Sequence, residues 1–263
     1  MDLHISMAAQ EVFSIGGFSV TNALLTGAVA SLVAILVLFY VGGKVKKGKY
    51  NRFVGLVQWV FEGLLNQIKD VVPDKKIAKS ITPLAVTIFF VVLFNYWVSI
   101  LPGVDTIKIG DVPLFRSMAS DLNFTLGLAL ISIVAVQFYA VKHLGAFNNL
   151  HRYFRNPIKD PIGSFEGILE LVGEVSRCMT LALRLFGNAF AGEVLLIVIA
   201  VLSSYAAVAS LPIFMVFELF IGFIQAYVFF ILTLIFTSLA TSHGPSKDHS
   251  PAIDKKSEAS AKT

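Results

Sequence analysis

Five apolar stretches punctuate the chain, at residues 20–41, 81–101, 122–141, 163–202 and 211–240. About 20 apolar residues in helical form cross the roughly 30 Å hydrocarbon layer of a bilayer. Each stretch is therefore predicted to be a membrane-spanning helix. Thr82-Pro83 opens the second, Pro102-Gly103 stops it, and Pro212 opens the fifth. A sixth pattern is different in kind. Phe53, Leu56, Val57, Val60, Phe61, Leu64, Leu65 and Ile68 recur at i, i+3, i+4, i+7, with Gln58, Glu62, Asn66 and Lys69 at other positions. That is the signature of an amphipathic helix over about 50–72, ended by Pro73. Between basic flanks it suits a position along the cytoplasmic membrane surface; packing on a partner's stalk is the alternative. Residues 242–263 show no periodicity and are rich in Ser, Lys, Asp, Pro and Ala. They read as a disordered tail, with His243 and His249 solvated.

Lys and Arg alternate between the connecting segments. Residues 1–19 hold none, 44–79 hold nine, 102–120 hold two, 142–162 hold four, 203–211 none, and the tail after 241 holds four. Basic residues mark cytoplasmic loops. The expected topology is an extracytoplasmic N-terminal segment (1–19), a membrane domain (20–240) and a cytoplasmic tail (241–263). No basic region precedes the first span, so a cleaved signal peptide is not expected.

Composition agrees. Of 263 residues, 56% are hydrophobic and 14% charged, against about a quarter charged in a soluble domain. The net charge of +4 is accounted for by the cytoplasmic loops, so no nucleic-acid partner is expected. A single cysteine, Cys178, excludes a disulfide framework and a multi-cysteine metal site. Asn123-Phe124-Thr125 matches a glycosylation sequon but sits at the mouth of a span. The sequence carries no P-loop, GxGxxG, HExxH or GxSxG motif, and neither a cofactor nor a metal is expected.

The chemistry lies in ionisable groups at membrane depth. The first three spans contain no Asp, Glu, Lys or Arg. The fourth contains Glu166, Glu170, Glu174, Arg177, Arg184 and Glu193, with Asn188; the fifth contains Glu218 and Gln225. Each buried charge costs about 3 kcal/mol on insertion, so a cluster points to an ion path. At about 100° per residue, Glu166, Glu170, Arg177, Arg184 and Asn188 share one stripe, Glu174 lies to its side and Glu193 nearly opposite Arg184. Glu170–Arg177 or Glu174–Arg177 also suit structural ion pairs, and Glu166 suits a helix N-terminus. Residues 166–202 make a helix of about 55 Å, long enough to require a steep tilt in the bilayer. The two last spans run antiparallel, with midpoints at Arg184 and Gln225. Acids then lie on the outer side (Glu193, Glu218) and the cytoplasmic side (Glu166, Glu170), separated by a central Arg. The expected fold is an all-α membrane protein with five spans, the last two long, tilted and antiparallel, plus one cytoplasmic amphipathic surface helix.

The run Leu181-Ala182-Leu183-Arg184-Leu185-Phe186-Gly187-Asn188-Ala189-Phe190-Ala191-Gly192-Glu193 resembles the signature of subunit a of F-type ATP synthases. Pro83-Leu84 with Asn95, Asp121-Leu122-Asn123-Phe124-Thr125-Leu126, Gly167–Glu170 and Gln225-Ala226-Tyr227-Val228-Phe229 follow in that family's order. The likeness covers about residues 10–240 and is nearest to bacterial members. It implies a non-catalytic stator subunit in the bacterial plasma (inner) membrane. Two offset half-channels would then serve a rotating ring of c subunits, with b subunits of the peripheral stalk as further partners. The transported ion would be H+, with Na+ the alternative, since the ring's own site decides. Arg184 matches the family's essential arginine, and Asn188, Glu193 and Gln225 match polar residues near it. Glu218 stands where some members carry His, and Glu170 matches a cytoplasmic-side acid. Cys178 departs from the Pro found in many members. A secondary transporter or permease subunit is the alternative function, but it predicts repeated helix sets, and no long repeat is visible.

Overall fold

The computed structural model of the chain describes residues 9–16, 18–101, 108–109, 112–113, 116–145, 161–203 and 206–242. The tail read as disordered, and most of the 142–162 loop, lie outside these residues. A short hairpin of β1 (Glu11–Ile15) and β2 (Phe18–Thr21) leads into α1 (Asn22–Lys46). Then come α2 (Arg52–Val71), α3 (Lys75–Ile100) and a second small hairpin, β3 (Lys108–Ile109) with β4 (Val112–Pro113). Three more helices follow among the described residues: α4 (Leu122–Leu144), α5 (Pro161–Ser203) and α6 (Ala207–Ser242). Among the described residues five helices, all but α2, are long and apolar enough to cross a membrane. This is an all-α membrane protein, and the two hairpins add only caps to it.

Local signals fix several helix starts. The Thr21 hydroxyl accepts from Leu24 N, the Asp74 carboxylate from Lys76 N at 2.8 Å, and the Asp121 carboxylate from Asn123 N at 2.9 Å. Each satisfies a backbone donor that the first helical turn leaves orphaned. The Asp74 cap begins α3 six residues before the apolar run, so Lys75, Lys76 and Lys79 form its polar first turns. Pro83 therefore lies inside the helix rather than at its start. The two ends of the molecule differ. One carries both hairpins and the start of α1; the other carries Lys44 and Lys46 at the end of α1 and the lysines of early α3. They are called here the hairpin end and the basic end.

α6 is the hub: it packs on α3, α4 and α5, while α4 also packs on α5, and α1 lies against α3. Phe89 of α3 meets Phe90, Phe223 and Phe230 edge-on, at centroid distances of 5.3, 5.9 and 6.2 Å. Such aromatic pairs contribute about 0.5–1.5 kcal/mol each beyond area burial. At the same centre Ser132 and Thr233 hydroxyls bond at 2.8 Å across α4 and α6, about 0.6 kcal/mol in a membrane. α1 shows its neighbour mostly small residues, Ala23, Thr26, Gly27, Ala30 and Ala34, and exposes Leu32, Leu36 and Phe39. That inversion, small side chains inward and large ones outward, suits a lipid solvent. In α2, Val54, Leu64 and Ile68 turn inward, whereas Phe53, Leu56 and Trp59 are exposed.

Candidate functional site

The α5–α6 pair carries the ionisable groups, and its register follows from two contacts. A Cβ placed on Gly192 would overlap the Glu218 carboxylate, so α6 crosses α5 closely at that point. Arg177 stacks over the Phe236 ring at 5.1 Å, further towards the basic end. Both contacts describe antiparallel helices. Stepping eight residues from Gly192 reaches Arg184, and eight from Glu218 reaches Ala226. Gln225 is therefore within a turn of Arg184's level, as midpoint geometry on the sequence suggests. No hydrogen bond joins the two among the described residues.

At the hairpin end, four segments converge on Glu218, which is only 3% exposed. Tyr96 of α3, 1% exposed, donates its hydroxyl to Glu218 Oε1 at 2.5 Å. The next residue, Trp97, donates its indole N–H to the Leu219 carbonyl at 2.9 Å, which fixes α3 against α6. Gly222 makes room as well: a Cβ there would come within 2.5 Å of Tyr96 Cδ1. Two glycines thus permit the approach that puts a carboxyl group and a phenol together in the membrane. Glu193 of α5 faces the same region, with its Oε1 3.6 Å from Nε of the buried Arg116. Between these groups is a cavity of about 40 Å³, lined by Tyr96, Ser99, Ile100, Ser117, Ala189, Glu193, Leu196 and Glu218. It exceeds the roughly 10–15 Å³ that one water needs. Ser117 Oγ is buried with no partner among the described residues and lines this cavity, as expected of a group that bonds water.

A second polar group lies towards the basic end. Gln137 of α4 donates its side-chain amide to the Glu174 carboxylate. Glu174, Arg177, Gln137 and Phe236 line a small cavity of about 10 Å³. Glu170 is half-buried one turn beyond Glu174, and Glu166 is exposed. Along α5, Glu174 and Glu193 are separated by about 28 Å, with Arg184 near the middle.

Arg184 belongs to neither group. Leu181, Ala182, Leu185 and Ala189 bury the inner face of α5, whereas Thr180, Leu183, Arg184, Gly187 and Ala191 form an exposed stripe. Among the described residues nothing pairs with the Arg184 guanidinium. Asn188 and Gln225 are half-buried. The structure thus gathers Glu193 and Glu218, sets Glu170 apart at the basic end, and leaves Arg184 facing outward. Tyr96, Arg116, Ser117 and Gln137 join these sites without any motif in the sequence to mark them. They reach the acids from other helices or loops, across long stretches of chain.

Comparison with known proteins agrees with this architecture. The family model described as ATP synthase A chain matches residues 24–238. The ATP synthase subunit a of Mycobacterium bovis is 34% identical over 224 residues, covering 84% of this chain and 86% of its own. That of Acidothermus cellulolyticus is 28% identical over 92% of this chain and 86% of its own length. The ATP synthase subunit a 2 of Vibrio campbellii is 32% identical over 80% of this chain and 83% of its own. A match across nearly the whole membrane region, together with an α5–α6 pair that carries a buried acid and an outward arginine, makes the chain a member of the ATP synthase A chain family.

Proposed function

We propose that this chain is the ion-conducting stator of the membrane sector of an F-type ATP synthase. Its stripe of Thr180, Leu183, Arg184, Gly187 and Ala191 faces a rotating c-subunit ring. The observation that carries this reading is Arg184: a guanidinium at mid-helix, exposed among apolar and small residues, with no partner among the described residues. A bare cation in hydrocarbon is costly, so its counter-charge belongs to another subunit. A ring carboxylate supplies one. Opposite Arg184 the carboxylate is favoured in its ionised form; away from it, facing lipid, it must be neutral.

The two polar groups then serve as the ends of two half-paths. Ions enter through the cavity of Glu193, Glu218 and Tyr96, board the ring, and leave past Glu170 and Glu174. Asn188 and Gln225 line the approach to Arg184. The two groups lie on opposite sides of the arginine along α5, and its fixed charge repels a cation moving directly between them. The hairpin end faces outside and the basic end the cytoplasm of a bacterium, in line with the lysine distribution; α2 rests at the cytoplasmic surface, near the b subunits. The ion is H+.

The test is Arg184→Ala beside Arg184→Lys in inverted membrane vesicles. Arg184→Ala abolishes ATP-driven pumping while the subunit still assembles, because losing a membrane charge removes about 3 kcal/mol of insertion cost. It also opens a passive proton leak once the catalytic head is stripped away. Arg184→Lys blocks most of the leak but restores little pumping, since the ammonium lacks the planar fork and can deprotonate in an apolar site. Normal pumping by Arg184→Ala would refute the reading, as would loss of pumping only through failed assembly.

A further inference from the structure

Arg116 lies between β4 and α4, outside every membrane-spanning helix, yet it is 6% exposed. A buried guanidinium needs a partner and a reason to stay. Its Nε is 3.6 Å from Glu193 Oε1. The backbone behind it is strapped to the first turns of α1. Arg116 N donates to Thr26 Oγ1 at 2.9 Å, and that hydroxyl donates to the Asn22 carbonyl at 3.0 Å. Asn22 Nδ2 donates to the Pro113 carbonyl at 3.2 Å, three residues before the arginine. Gly27 lets Met118 seat against α1, where any Cβ would overlap the thioether. α1 touches neither acid of the hairpin-end cavity by any of these bonds, but it fixes the loop that does.

The cavity also poses an electrostatic problem. Glu193 and Glu218 line the same small space, and two like charges at close range oppose each other's ionisation. The structure gives each acid its own partner from a different element, Tyr96 for Glu218 and Arg116 for Glu193. We propose that Arg116 is a positioning residue for ion flux. It holds the Glu193 carboxylate at the cavity edge and compensates its charge, so that the exchanging proton is handled by Glu218. Thr26 and Asn22 are the strap that holds Arg116 in place. This rests on reading Glu193 and Glu218 as the outer half-path.

The test measures ATP-driven pumping by the whole complex in inverted vesicles, normalised to the amount of assembled subunit. Arg116→Ala lowers pumping by about tenfold, within the range for coupled buried pairs, and Arg116→Lys restores most of it. Thr26→Val, which cuts the strap alone, lowers it by about twofold. In a Glu193→Gln background, Arg116→Ala causes no further loss, because its action runs through that carboxylate. An added loss in the double variant, or an unimpaired Arg116→Ala, would overturn the inference. Should Arg116→Ala not assemble, the double variant, which leaves no charge at position 193, carries the comparison against Glu193→Gln. Normal pumping by Glu218→Gln would instead defeat the half-path reading itself, so the two failures are separable.

Discussion

The two faces of α5 solve opposite problems. At the inner face, Glu193 of α5 is half-buried, Glu218 of α6 is buried beside it, and each has a partner within the chain: a guanidinium 3.6 Å away for one, a phenol 2.5 Å away for the other. On the outer face, Arg184 is exposed and no described residue pairs with it. A folded subunit can complete the first arrangement by itself. In the proposed reading the second is complete only against another subunit, and its chemistry then depends on where that subunit stands. On the proposed function, this difference separates a fixed entry path from a contact that can be made and broken as a ring turns.

The largest expected effect on the inner face comes from Glu218. Glu218→Leu removes the protonatable group and lowers pumping by about a hundredfold, the scale of losing a positioned acid–base group. Glu218→His keeps part of the flux. Equal rates for the two variants, measured by acidification of inverted vesicles, would reduce Glu218 to a structural role.

The two faces can be separated next by glycines of the same helix. Gly192→Ala pushes a methyl into the Glu218 carboxylate, and overpacking of this kind costs about 1–3 kcal/mol. The isolated subunit loses thermal stability, and pumping drops by about tenfold. A Cβ on Gly187 meets nothing within 4 Å among the described residues. Gly187→Leu therefore leaves the isolated subunit's thermal stability unchanged but blocks pumping in the assembled complex. Identical behaviour of the two variants in both assays would erase the distinction between the faces. The smallest effect is at Tyr96. Tyr96→Phe keeps the ring and deletes the hydroxyl, worth about 1 kcal/mol for such a bond, and slows pumping by about fivefold at unchanged assembly.

The helices are legible in the sequence because apolar length is a local property. Arg184 is legible for a related reason: a charge inside an apolar run stands out wherever it lies. The partners are not legible in this way. Tyr96 reads as one more aromatic in the α3 core until α6 delivers Glu218 to its hydroxyl, 122 residues along the chain. Arg116 reads as a loop charge, and only the α1 strap reveals that it is buried. Gln137 sits in a span with no ionic residue, and its role depends on α4 packing against α5 at Glu174. The hairpins β1–β2 and β3–β4 leave no periodic trace because their strands are two to five residues long. The early start of α3 escapes a hydropathy reading since its first turns are lysine-rich and held by the Asp74 cap.

The central claim is that the stripe around Arg184 is the surface the ring touches. The most direct measurement is disulfide formation in the assembled complex. A cysteine one helical turn from the ring carboxylate is paired either with Gly187→Cys, on the exposed stripe, or with Ala189→Cys, on the buried face. The account predicts an inter-subunit disulfide through Gly187→Cys and none through Ala189→Cys. A disulfide through Ala189→Cys with none through Gly187→Cys would contradict it.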